Sequence, residues 1–411
     1  MSGRLVFQNA AVLVPQSGTL REGCTVVVEG GRILEVQEGG RTGLADRVID
    51  LRGSVLMPGL IDCHVHVTVV ASDVWAMSEW SPYYVAARAG KVSAGMLQRG
   101  FTTVRDTGGC DYGLAAAIEE GYLEGPRVIY GGRMLSQTGG AGEVRGPGRV
   151  VYDDHPQTPA LATICDGVAE VRRAAREEIR KGASHIKMYL SGAVDAPSDR
   201  VDATQFSLEE IRAVVEEAEA ANIYVAGHAY TSRAINRGLE CGVRTIEHGN
   251  MMDESTPALM LEKGAFYVPT LVTYCALAQY GREEGVPQEA LDKLPPVREG
   301  GMHALELCHR AGVPIAYGSD LLAEMHREQS MEFTIRSEVQ PAADVLRSAT
   351  TVGARLLQRE GQLGVVTEGA LADLLVVDAN PLTDVKVLSD PERHLLMIMK
   401  DGRVVRDRLA A

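Results

Sequence analysis

The chain has 411 residues, 45% hydrophobic and 23% charged, a balance that excludes a disordered protein and leaves room for one large α/β unit plus a smaller module. With 41 basic against 55 acidic residues the formal charge is −14, which argues against nucleic acid or an anionic membrane as a general partner. Seven cysteines, an odd number with no Cys-x-x-Cys, fit neither a disulfide framework nor a structural zinc cluster and point to a reducing, cytoplasmic setting.

Residues 1–56 read as short strands, clearest at Val26–Val28, Arg32–Val36 and Arg47–Leu51, broken by Glu29-Gly30-Gly31 and by the glycine-rich stretch 39–43. No basic region followed by a cleavable apolar core precedes them, and no apolar run reaches the roughly 18 residues of a membrane helix. The first stretch of chemical weight follows at 57–66, Met-Pro-Gly-Leu-Ile-Asp-Cys-His-Val-His. On a strand, side chains alternate faces, so His64 and His66 point to one side and Cys63 to the other. Two imidazoles converging from one strand make half of a metal site.

From 57 to 360, β-branched or apolar runs alternate with helical patterns such as 205–220. The candidate strands are 60–67, 103–106, 127–131, 185–190, 224–229, 245–249, 266–271 and 315–320. Strand–helix alternation implies parallel strands with crossover helices, and eight such units close a (β/α)8 TIM barrel. A doubly wound open sheet is the alternative, but no Gly-x-Gly-x-x-Gly opens a helix to support a dinucleotide fold. Residues 361–411 return to strands at 373–377, 395–399 and 403–405. Either end alone would have a thin core, so 1–56 and 361–411 are expected to build one small β-sandwich domain beside an α/β barrel of residues 57–360.

Polar residues fall at the ends of the proposed barrel strands: His64 and His66, Lys187, His228, His248 and Asp320. Singly, each has an ordinary reading. Lys187 could be a snorkelling strand-end lysine, His228 a hydrogen-bonded core histidine, His248 a partner of Glu247, and Asp320 a helix cap. Six such residues on five strands of one barrel read together as a metal site at its catalytic rim. Metal there would generate hydroxide from water near neutral pH. Lysine has no lone pair for a metal while protonated. Reaction of its amine with carbon dioxide would give a carbamate whose oxygens could bridge two cations. Asp320 is placed to collect a proton from the attacking water.

The sequence resembles the amidohydrolase superfamily, in its binuclear branch. The matching residues are Pro58 through His66, Lys187, Gly227-His228-Ala229, Glu247-His248-Gly249, Gly318-Ser319-Asp320 and the closing run from Gly369 to Asp378 with Asn380-Pro381-Leu382. The resemblance implies a distorted barrel with a composite sandwich. It further implies two divalent metals, zinc by default, with His64, His66 and Asp320 holding one. His228 and His248 would hold the other, and carboxylated Lys187 would bridge. Hydroxide between the metals would attack a carbonyl carbon, and Asp320 would pass its proton to the leaving amine. A homo-oligomer acting on a small-molecule substrate is the family's habit.

Within the superfamily, His228-Ala229-Tyr230 and Lys187-Met188-Tyr189 look most like Xaa-Pro dipeptidase-like and metal-dependent carboxypeptidase-like enzymes. The expected reaction is hydrolysis of an N-acyl amino acid or a peptide C-terminal bond, with the Tyr230 phenol on the substrate's carbonyl or carboxylate. One departure stands out. The branch often has Thr-Gly-Gly-His-Gly where this chain reads Thr138-Gly139-Gly140-Ala141-Gly142, and Arg145 and Arg149 follow as a substitute cation source or a solvated loop. That keeps aryl ureas, carbamates and other amides open as alternatives, with one metal occupied. A non-catalytic scaffold is a lesser alternative. Trp75, Trp80, Tyr83 and Tyr84 either line an apolar pocket or belong to a helix packed on the barrel, the plainer expectation.

Overall fold

The chain's computed structural model describes residues 3–39, 45–77, 79–143, 145, 161–194, 196 and 199–409. Its strands in the first half are β1 (Leu5–Val14), β2 (Thr19–Glu29), β3 (Arg32–Glu38), β4 (Arg47–Asp50), β5 (Val55–Pro58), β6 (Leu60–Val65), β7 (Phe101–Asp106), β8 (Arg127–Tyr130), β9 (Met134–Ser136) and β10 (Ala162–Ile164). There follow β11 (His185–Tyr189), β12 (Tyr224–Thr231), β13 (Thr245–Met251), β14 (Phe266–Val268), β15 (Leu374–Val377), β16 (Leu395–Lys400) and β17 (Arg403–Asp407).

Both ends of the chain meet in one eight-stranded sheet, ordered β17-β16-β15-β5-β1-β2-β3, with β4 beside β1. The junction is β5 against β15, antiparallel, with Met57 opposite Leu375. Here the alternation of side chains is used twice. Leu374 and Val376 pack with Phe7, Val26 and Met397 on one face, whereas Leu375 and Val377 pack with Leu60, Phe101 and Met96 of the central region on the other. A sheet buried on both faces has no polar side to alternate with, which is why Leu-Leu-Val-Val reads as an unbroken apolar run.

The central region holds two parallel sheets, β6-β7-β8 and β10-β9-β11-β12-β13-β14, with helices linking β6 to β7, β7 to β8 and each strand from β10 to β14 to the next. The helix expected at 205–220 begins three residues later. Ser207 accepts from the Glu210 amide and the Glu210 side chain reaches back to the Ser207 amide, a capping box that fixes the helix as Leu208–Ala220. The expected strands at 60–67 and 266–271 are shorter, ending at Val65 and at Val268 respectively. The latter stops because Thr270 turns left-handed (φ 49°) and starts the helix Leu271–Tyr280.

The expected strand at 315–320 is not a regular strand. Ile315 makes an isolated parallel bridge with Tyr267. The Ala316 amide donates to the Tyr267 carbonyl at 2.9 Å. Beyond it, the Cys63 amide donates to the Tyr317 carbonyl at 2.7 Å and the Asp320 amide to the His64 carbonyl at 2.8 Å. This segment therefore links β14 to β6 by backbone hydrogen bonds while bending too sharply for a ladder. Gly318 is the tight point: a Cβ there would lie 2.4 Å from Val268 Cγ1 and 2.9 Å from His64 Cβ. Strands β9 and β10 have no counterpart among the expected strands; three residues each give too short a pattern to read.

Candidate active site

Fully buried β6 carries His64, and His66 follows immediately after it; their rings lie 5.3 Å apart, edge to face. As strand alternation requires, Cys63 faces the other way, into an apolar cluster with Ile61 and Leu356. Asp320 closes the group, with Oδ1 3.3 Å from His64 Nε2 and 3.2 Å from His66 Nε2. These three side chains bring ligand atoms within 4.8 Å of one another. His228, at the middle of β12, and His248, on β13, meet edge to face at 4.4 Å, and His248 lies 4.9 Å from His64. Lys187, on β11, joins them in the wall of one cavity with about 620 Å³ of atom-free space. All six residues expected at the site thus line one cavity, and Tyr230 lines it too.

Each imidazole is oriented by a partner on one nitrogen. His64 Nδ1 donates to Glu247 Oε2 at 2.7 Å and His66 Nδ1 to the Gly108 carbonyl at 2.8 Å. His248 Nδ1 pairs with Thr270 Oγ1 at 2.8 Å, and His228 Nε2 donates to the Gly192 carbonyl at 3.1 Å. Holding one nitrogen is how histidine ligands are commonly oriented, leaving the other to face a cation; His66 Nε2 also lies 3.4 Å from Thr107 Oγ1. His64 Nε2 is the telling atom: buried, making no hydrogen bond of good geometry, and facing the Asp320 carboxylate at 3.3 Å. A buried polar atom without a partner costs about 1–3 kcal/mol, and a divalent cation on His64, His66 and Asp320 would relieve it. The donor set fits such a cation.

Behind the histidines lies a buried charge network. Arg105 on β7, wholly buried, donates to both Glu247 oxygens at 2.8 Å, to Thr245 Oγ1 at 3.1 Å and to the Cys63 carbonyl. Burial pushes the Glu247 carboxyl up, but the Arg105 charge and the His64 hydrogen bond overcome it and hold it well below the usual range. Asp320 follows the same logic: burial raises it, and His64 and His66 hold it well below. Burial and the Lys187 charge push His228 down to about 3, so it sits as a neutral, donor-ready imidazole. Asp62 supports the other flank, accepting from Ser319 Oγ at 2.6 Å and Gln329 Nε2 at 2.8 Å.

Three non-glycine residues at the cavity adopt left-handed backbone: His248 (φ 73°), Thr270 (φ 49°) and Asp320 (φ 53°). For a β-branched threonine that conformation is a true outlier, and clusters of such residues mark sites where geometry outranks local comfort.

Sequence reasoning missed two of the participants, Arg105 and Tyr274, and gave Glu247 the wrong partner: it holds His64, not His248. Arg105 had a signal, a charge on a strand between apolar runs that must pair if buried. Tyr274, in the helix Leu271–Tyr280, lines the cavity and donates to Tyr230 Oη at 3.4 Å, with no motif to announce it. Ala141 is buried with Met134 and Tyr189, behind the cavity rather than on it, and its amide donates to Gln205 Oε1 at 3.3 Å. Arg145 is paired with Glu143 at 2.6 Å, and Arg149 lies outside the described residues, as does the Trp75 side chain. Tyr83 and Tyr84 stand 86% and 53% exposed at the start of the helix Pro82–Gln98, and Arg88 covers Trp80 at 5.5 Å. None of the three lines the cavity, and the helix packs through Val85, Ala89 and Met96 and not through its two exposed tyrosines.

A strand-borne His-x-His with further histidines and a lysine on parallel strands, closed by an aspartate from an adjoining irregular segment, defines a class of hydrolytic enzymes. The sequence profile of the amidohydrolase family matches residues 55–405, and the protein belongs to that family, as a hydrolase of C–N bonds. It is 33% identical to the ochratoxinase of Aspergillus niger over 370 residues, 86% of this chain and 76% of that protein. A solved prolidase complexed with N-methylphosphonate-L-proline is 47% identical and superposes with a TM-score of 0.95, covering 98% of this chain and all of the other. A Xaa-Pro dipeptidase with methionine bound in its active site is 30% identical, with a TM-score of 0.87 over 98% of this chain and all of that one. Among the described residues no helix is long and apolar enough to cross a membrane.

Proposed function

We propose that the protein is a metal-dependent amidohydrolase cleaving the amide bond of N-acyl amino acids or a peptide C-terminal bond. The observation that carries this reading is the convergence of His64, His66, Lys187, His228, His248 and Asp320 on one cavity. His64, His66 and Asp320 would hold one cation, and His228 and His248 a second. Lys187 would bridge them as a carbamate, formed when its neutral amine adds to carbon dioxide and loses a proton. Zinc suits this imidazole-rich donor set. Bound cations would supply an acidified water and a polarised scissile carbonyl.

The side chains do the rest. Asp320, held ionised by its two histidine neighbours, accepts the proton of the attacking water and returns it to the leaving nitrogen. Tyr230, 3% exposed and facing His228 and His248 at 4.8 and 5.6 Å between rings, donates its phenol to the substrate's carbonyl or carboxylate. The relatives named prolidase and dipeptidase support the choice of an amino-acid amide. We further read residues 57–360 as a distorted (β/α)8 barrel, its strands divided between two sheets, and residues 1–56 with 361–411 as a β-sandwich. The backbone bonds from 315–320 to β14 and β6 support the barrel. We expect a cytoplasmic homo-oligomer acting on small molecules.

A second reading, hydrolysis of ureas or carbamates with one cation, draws on the compact triad of His64, His66 and Asp320 and on Ala141 in place of an imidazole. One experiment separates the two. Metal content is measured on purified protein, and N-acyl amino acids, dipeptides, aryl ureas and carbamates are offered before and after chelation. Near two metals per chain with chelator-sensitive release of an amino acid supports the first reading; turnover confined to ureas and carbamates supports the second.

A further inference from the structure

The helix Leu271–Tyr280 is capped in an unusual way. Its N-cap is Thr270, a residue type that ordinarily turns its hydroxyl back onto the amide of the second or third helical residue. Here it makes no such bond: its backbone is left-handed (φ 49°), and its Oγ1 lies 2.8 Å from His248 Nδ1. The same hydroxyl bears on the phenol of Tyr274, one turn along the helix, and that phenol donates to Tyr230 Oη at 3.4 Å. Thr270 is thus committed to the cavity wall, and the first amides of the helix need another acceptor.

That acceptor comes from a different element. Glu332, wholly buried on the helix Met331–Arg336, accepts from the Val272 amide at 2.7 Å, and the Leu271 amide also bears on its carboxyl group. Val272 is the second helical residue, whose amide a capping threonine would take. Arg336, one turn beyond Glu332, ties the same short helix down by donating to the Ala316 carbonyl at 3.2 Å and to Gln340 Oε1 at 2.9 Å. A buried carboxyl group is costly to keep, and the proposed chemistry does not use this one.

We propose that Glu332 is a positioning residue: by capping the helix in place of Thr270, it frees the Thr270 hydroxyl to orient the His248 ring. Without Glu332 the Val272 amide is left buried and unpaired, and the hydroxyl two residues back is the group suited to answer it. Thr270 then turns to its own helix, and His248 loses its partner. This role rests on the proposed metal centre only for what a correctly turned His248 serves.

Two readouts on the full chain test it. The first is zinc affinity by chelator competition. Glu332→Leu, which has no acceptor, is expected to weaken zinc on the order of tenfold. Glu332→Gln keeps an oxygen for the Val272 amide and is expected to bind zinc like the natural chain. In a Thr270→Val background Glu332→Leu is expected to add nothing, because the contact it acts through is already gone. Glu332→Asp keeps the charge beside Arg336 but withdraws the acceptor by one methylene, and it serves if Glu332→Leu does not melt cooperatively. The second readout is the ring-nitrogen resonances of His248 in metal-free protein carrying isotope-labelled histidine, identified by their loss in His248→Asn. They are expected to shift in Glu332→Leu and not in Glu332→Gln. Unchanged zinc affinity, equal losses in Glu332→Leu and Glu332→Gln, losses additive with Thr270→Val, or unmoved ring nitrogens overturn the role. A natural chain that binds no zinc, yet whose His248 nitrogens respond as expected, overturns the metal-dependent reading and leaves Glu332 standing as the positioning residue.

Discussion

The two halves of the cavity are built on opposite terms. Around His64, His66 and Asp320 almost every polar atom is committed: Arg105, Glu247, Thr245, Asp62, Ser319 and Gln329 form hydrogen bonds within a fully enclosed layer. Across the cavity, Val74, Val194, Leu277 and Leu322 offer shape without direction. Charged networks in a low-dielectric interior are unforgiving, since every unpaired member is costly, and they therefore hold a reacting centre to a narrow geometry. Apolar walls tolerate repacking. The contrast teaches that buried charge fixes the geometry around His64, His66 and Asp320, while the apolar wall can vary without unfolding it.

That contrast is open to test, beginning with the centre. Asp320→Asn is expected to lower kcat by a factor on the order of 10²–10⁴, the usual worth of a positioned acid–base group. Full activity with metal bound would remove the proton-transfer role. Next in size is the supporting network. Arg105→Met leaves Glu247 buried without its guanidinium and is expected to cost about 3–5 kcal/mol in urea unfolding, with part of the loss recovered in the Arg105→Met, Glu247→Gln double variant. If the single variant unfolds like the natural chain, the network is not what holds the charged half.

Glu332 sharpens the comparison from the other side. It accepts from the Val272 amide at 2.7 Å, at the start of the helix that carries Tyr274 and Leu277, and burial pushes its carboxyl up to about 7, against the opposing pull of Arg336. An acid whose folded pKa exceeds its unfolded one binds more protons when folded, so its contribution to stability falls as pH rises from about 4.5 to about 7 and is level above. A shift of that size is worth roughly 3 kcal/mol. Glu332→Gln should flatten this portion of the melting-temperature profile; an unchanged slope would contradict the assignment. Thr270→Val removes the partner of His248 Nδ1 and is expected to weaken metal binding about 10–100-fold in a chelator competition, with little effect on the fold. The smallest effect belongs to Tyr230→Phe. Loss of one neutral hydrogen bond, about 1 kcal/mol, should reduce kcat/KM roughly fivefold and leave metal content unchanged.

Much of this is legible in the sequence. The His64-x-His66 spacing on an apolar strand predicts convergence because a strand repeats every two residues, and the rings do converge. His228, His248 and Lys187 can be grouped because each belongs to a β-branched or apolar run. The irregular path of 315–320 cannot be read, since it follows from the close approach of Gly318 to Val268 and His64, a tertiary fact. Thr270 is hidden for a similar reason: its left-handed backbone is imposed by neighbours and opposes its own preference. Tyr274 lies in an evenly apolar helix in which nothing marks one aromatic residue as different from the next.

The seam between β5 and β15 bears on how the molecule assembles. Leu56 pairs with Val376 and Met57 with Leu375, partners separated by the whole catalytic region. On a ribosome, β1–β5 emerge hundreds of residues ahead of the strands that complete their sheet, with Val55, Leu56 and Met57 uncovered in the meantime. Docking of the last strands is thus a late, slow step of high contact order. Substitutions in β15 or β16 would therefore show first as lost yield during synthesis, even where the mature enzyme, once formed, works normally.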